Sequence, residues 1–70
     1  MSVALDRAKK KVTDYLAENN NARYTDIRAQ FDQHESATVL VAVVKLVQEG
    51  TIERTYNGPP TYMTYRLVSQ

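Results

Sequence analysis

Hydrophobic residues recur along this chain in two rhythms, and the switch between them divides it into a helical part and a stranded part. After Ser2, a residue suited to an N-cap, Leu5, Ala8, Val12, Tyr15 and Leu16 fall on one side of a helix turning roughly 100° per residue, and Arg7, Lys10, Asp14 and Glu18 fall on the other. The pattern predicts an amphipathic helix to about Glu18. Asn19, Asn20 and Asn21 stop it, because asparagine tolerates the left-handed backbone of a helix end better than other non-glycine residues. Tyr24 is expected to be a short extended residue that pairs with a later hairpin. Thr25 then caps a brief second helix with Ile27 and Phe31 inside, and Asp32 to Glu35 form a turn. Ser36 caps a third helix that runs to about Glu49 and is closed by Gly50. Beyond Gly50 the rhythm changes. Thr51 to Tyr56 and Thr61 to Val68 are rich in β-branched and aromatic residues, and they flank a turn of Asn57, Gly58, Pro59 and Pro60. The expected fold is α+β and mainly α, a single domain over 1–70: three helices, then a two-stranded antiparallel hairpin, with a short third strand near Tyr24.

The third helix carries two apolar faces where one would suffice for a core. Centring the inner face on Val43 places Val39, Leu46 and Val47 within roughly 60° of it. The same projection puts Ala37, Val41, Val44 and Gln48 in a stripe on the far side, with Leu40 on the shoulder. An exposed apolar stripe of this kind on a small domain marks a protein interface, which a second copy or another protein would cover. The competing reading is that the hairpin or the first helix covers Val41 and Val44.

Composition narrows the classes of function. With 43% hydrophobic and 24% charged residues the chain is globular, not disordered. A domain of this length buries only about 60% of its unfolded surface, so its stability is modest and association is open from the start. The absence of cysteine excludes disulfides and thiolate chemistry and suits a reducing compartment, so a cytoplasmic location is expected. No apolar stretch of signal-peptide length precedes Lys11. The longest apolar run, Val39 to Val44, is far short of a membrane span, and no membrane role is expected. Nine lysines and arginines against eight acids leave a net charge of +1, whereas a dedicated duplex binder usually carries a strong basic excess.

The order of elements resembles the winged helix-turn-helix superfamily. Val39, Val43 and Leu46 of the third helix, Gly50 and Ile52 entering the hairpin, and Tyr65 and Leu67 on its return strand carry the likeness, which spans essentially the whole chain. Within that superfamily, Ala8-Lys9-Lys10-Lys11-Val12-Thr13-Asp14-Tyr15-Leu16 and Tyr24-Thr25-Asp26-Ile27 to Phe31 look like the D subunit of dissimilatory sulfite reductase. Val39, Leu46-Val47 and Ile52-Glu53 keep the same register. That likeness implies a protein partner. Gly58-Pro59-Pro60 followed by Tyr62 also looks like the wing of domains that recognise left-handed duplexes. Those domains need Asn and Tyr on the third helix, where this chain has Leu40 and Val44, and that activity is discounted.

No set of residues converges on a reaction. His34 is the lone histidine and lies in the expected turn, where zinc would have to rest on it with Asp32 and Glu35; a solvent-exposed turn histidine is the simpler reading. Asp26 and Asp32 are spaced as capping and turn residues, and Gly58 is not part of a phosphate-cradling loop. Tyr15 and Tyr65 are read as core residues with a wet hydroxyl. No enzyme activity, metal, cofactor or small-molecule substrate is expected. The superfamily resemblance implies a transcriptional regulator on duplex DNA, contacted by Arg28, Ser36, Thr38, Lys45, Arg54, Tyr62 and Arg66, with Tyr56 beside them. The alternative is a docking module that modulates an enzyme or assembly through Ala37, Leu40, Val41, Val44 and Gln48.

Overall fold

A computed structural model describes residues 3–56 and 63–68. The expected N-cap Ser2, the turn from Asn57 to Pro60 and the candidate contact Tyr62 lie outside the described residues. The chain runs α1 (Val3–Glu18), β1 (Ala22–Arg23), α2 (Tyr24–Arg28), a single 3-10 turn (Gln33–Glu35), α3 (Ser36–Glu49), β2 (Ile52–Tyr56) and β3 (Met63–Leu67). It is an α+β domain, mostly helical, with three α-helices and one antiparallel sheet of order β1-β3-β2.

α1 ends as its asparagines dictate. The Asn19 backbone N–H and side-chain amide both donate to the Tyr15 carbonyl, and Asn21 takes the left-handed conformation at φ 65°. That reversal sends the chain into β1 two residues earlier than expected. Ala22 pairs with Tyr65 and Arg23 with Thr64, so the third strand is Ala22–Arg23 and Tyr24 opens α2 instead. The Asn20 side-chain oxygen accepts from the Leu67 N–H at 3.3 Å and prolongs the link to β3.

Two expected caps are corrected. Arg23, not Thr25, stands at the N-cap of α2, where its backbone N–H donates to the Asp26 carboxylate. Glu35, not Ser36, precedes α3. Ser36 is the first residue of that helix, and its hydroxyl donates back to the Gln33 carbonyl at 2.7 Å. α2 also stops at Arg28, so Phe31 lies beyond it in a tightened turn in which Gln30 and Phe31 N–H groups donate to Ile27 and Arg28 carbonyls. Phe31 is half-buried against the core, with Lys11 Nζ 4.7 Å from the centre of its ring.

The core lies where α1, α3 and the inner sheet face meet. Val12 and Leu16 of α1, Ile27 of α2, Val39, Val43 and Leu46 of α3, and Ala22, Ile52 and Tyr65 of the sheet are buried together. Ala42 is fully buried as well, so the inner face of α3 is wider than a projection centred on Val43 gives. Val47 and Tyr15 are only partly buried at its edge. A Schellman-type closure fixes the exit of α3 toward β2. Gly50 is left-handed at φ 79°, its N–H donates to the Val47 carbonyl, and the Thr51 N–H donates to the Leu46 carbonyl.

Candidate protein-docking face

α3 is held at both ends, and this fixes which of its sides faces out. At its start Arg28 of α2 donates two hydrogen bonds to the Ser36 hydroxyl, from Nε at 3.1 Å and from a terminal nitrogen at 2.8 Å. At its end Lys9 of α1 pairs with Glu49 at 2.6 Å. With Val39, Ala42, Val43 and Leu46 turned inward, Leu40, Val41 and Val44 are 52%, 44% and 44% exposed, and Ala37 and Gln48 are exposed beside them. Neither α1 nor the sheet covers Val41 and Val44. The structure therefore brings the whole predicted interface set onto one open ridge.

A hollow lies on each side of that ridge. Leu5 of α1 with Ala37, Thr38 and Val41 lines one of about 250 Å³. Leu40, Val43, Val44, Val47 and Gln48 line the other, of about 210 Å³, against Arg54 and Tyr65 of the sheet. Ile52, Arg54 and Tyr56 of β2 share a sheet face with their partners Leu67, Tyr65 and Met63 of β3, because alternate residues point the same way. The next pair toward the strand ends on that face, Tyr56 and Met63, leaves both side chains exposed. Leu5 and Met63 were not legible as surface contributors: Leu5 fits the inner face of α1, and Met63 falls in a strand whose register the pattern left open.

The residues expected to contact DNA do not form one basic surface. Arg28 and Ser36 bond to each other. Arg66 lies on the opposite sheet face from Arg54 and directly across from Glu53, with which it pairs at 2.5–2.6 Å. Thr38 is half-buried at the α1 hollow. Lys45 and Arg54 are exposed and make no ion pair among the described residues. His34 is exposed in the 3-10 turn, and among the described residues no three potential metal ligands cluster. Tyr24 is the one described group with a resolved shift: burial raises its phenol above the ordinary value near 10, opposed by the positive charge of Arg28 and reinforced by Tyr65. No described helix is long and apolar enough to cross a membrane. Compared with family models, curated proteins and solved structures, the chain matches none.

Proposed function

We propose that this chain is a small, non-catalytic regulatory protein of the winged helix-turn-helix type that works by docking on protein through the outward face of α3. The observation that carries the reading is the exposure of Leu40, Val41 and Val44 on the helix that a duplex reader of this type would insert into the major groove. Base edges there are met by hydrogen-bonding side chains, Arg, Lys, Asn or Gln, and branched aliphatic residues offer none of those bonds. Against a protein the same residues gain about 25 cal/mol for every Å² of apolar surface withdrawn from water. The two flanking hollows give a ridge that another surface can grip. The order of elements and the β1-β3-β2 sheet support the winged-helix assignment, and the likeness to the sulfite reductase D subunit points to the same mode of action.

A second reading, a transcriptional regulator on duplex DNA, is favoured by Lys45 and Arg54, whose charges no described acid neutralises. Two measurements separate the readings. A photo-crosslinking phenylalanine analogue at Val44, in cells that natively make the protein, is expected to give discrete protein adducts that the same analogue at exposed Asp14 does not. Anisotropy of a labelled random duplex is expected to stay flat at low salt. Duplex binding that weakens steeply toward about 200 mM salt, with no adduct specific to Val44, overturns docking in favour of DNA.

A further inference from the structure

We infer that the partner docking on α3 presents an acidic, aliphatic segment of its own chain, with Asp or Glu carboxylates on both sides of the apolar side chains that meet the ridge. The inference rests on the docking reading and names the chemistry of the partner.

The charges around the ridge carry it. Arg54 lines the hollow on the sheet side together with Leu40, Val44, Val47, Gln48 and Tyr65. Lys45 stands one turn beyond Val41, on the flank that faces α1. Each of these cations has an acid close to it in sequence, and each acid is engaged elsewhere. Glu49, four residues after Lys45, pairs with Lys9 of α1. Glu53, next to Arg54, points to the opposite face of the sheet and pairs with Arg66. Among the described residues that line the two hollows there is no carboxylate. The ridge is therefore apolar along Leu40, Val41 and Val44 and carries an unneutralised cation, among the described residues, on each flank.

That pattern selects among occupants. A second copy would bring the same two cations to the contact, with its Glu49 and Glu53 turned away in the same manner. A duplex satisfies the cations but sets a densely charged backbone beside Leu40, Val41 and Val44. A segment with both acids and aliphatic side chains meets both demands. Its carboxylate accepts two parallel hydrogen bonds from the planar Arg54 guanidinium, and a second acid across the ridge meets Lys45 as a point charge. The apolar contacts supply most of the affinity, while the charges select the segment and speed its encounter.

The test is selection of phage-displayed random peptides, about 15 residues long so that even a helix spans the ridge, on the purified full chain. Enriched peptides are expected to carry aliphatic residues with Asp or Glu to either side, and few Lys or Arg. Made synthetically, labelled and read by anisotropy, they should bind the double variant Lys45→Gln, Arg54→Gln about tenfold more weakly than the parent, as two partly exposed ion pairs imply, and the difference should narrow in about 1 M salt. Arg66→Gln removes a charge from the opposite sheet face and should leave the affinity unchanged. Val41→Asp puts an acid between the two cations and should abolish binding. All of these positions are exposed, and the far-UV circular dichroism of each variant should match the parent's.

Enrichment of neutral or basic peptides, equal binding to parent and double variant, or an equal loss with Arg66→Gln overturns the acidic partner and leaves the docking reading standing. No enrichment at all overturns it too, and docking then stands or falls with the Val44 adducts. Duplex binding that the double variant weakens, with no such adducts, overturns both.

Discussion

The left-handed backbone at Gly50 sets the direction in which the chain leaves α3. A β-carbon added there would meet nothing within 4 Å, so Gly50→Ala has no steric clash with its surroundings to resolve. Its cost is conformational, about 1–2 kcal/mol for an L-residue in that region, and the midpoint of urea unfolding should fall accordingly. Core residues have more at stake. Leu16 is fully buried, and Leu16→Ala is expected to cost about 2–5 kcal/mol, enough to leave much of a domain this small unfolded by circular dichroism at 25 °C. Tyr24 links a single group to pH. Its folded phenol titrates above the ordinary value near 10, so from about pH 10 upward the unfolded chain releases a proton that the folded chain keeps. This contribution is intact below that pH and is lost as pH rises through the folded value. Between pH 9 and 11 the urea midpoint of Tyr24→Phe should therefore fall less than that of the parent chain. Equal falls would mean that burial of the phenol has no such consequence.

At the scale of elements, helices with a clear apolar period and a chemical stop were legible, and elements set by long-range pairing were not. α1 and α3 follow their patterns because Asn21 and Gly50 supply the left-handed residues that end or follow them. β1 is two residues long and has no period of its own; it exists because Ala22 fits beside Tyr65 on the central strand, which no local signal in Ala22–Arg23 announces. The N-caps fall at Arg23 and Glu35, not at Thr25 and Ser36, for a related reason. Acids three residues on, Asp26 and Glu35, take the N–H groups of Arg23 and Asp32; the first sets the start of α2 upstream of Thr25, and the second opens the 3-10 turn that runs into α3, of which Ser36 is already the first residue. The α3 stripe was legible because a face with no core to meet is still apolar, while the split of Arg54 and Arg66 to opposite sheet faces needed the register. That register gives Arg66 a cross-strand partner. Both side chains are about half exposed, so Arg66→Gln should change stability by less than about 1 kcal/mol, and the difference should shrink in 1 M salt. The Arg28–Ser36 link joins α2 to α3, and Ser36→Ala is expected to lose about 1 kcal/mol that salt does not restore.

For the whole molecule, the question is why a chain with so little core leaves three aliphatic side chains of its longest apolar run open to water. A domain of 70 residues has only a few kcal/mol of stability to spare, and Leu40, Val41 and Val44 leave about half of their surface outside the part that supplies it. Docking through α3, as proposed, turns the same residues into buried ones. In the free chain Val41→Asp, at an exposed position, is expected to keep the stability read from urea unfolding within about 0.5 kcal/mol of the parent's. If the variant were instead clearly less stable than the parent, Val41 would be supporting its own domain, and the outward face of α3 would lose its claim to be an interface.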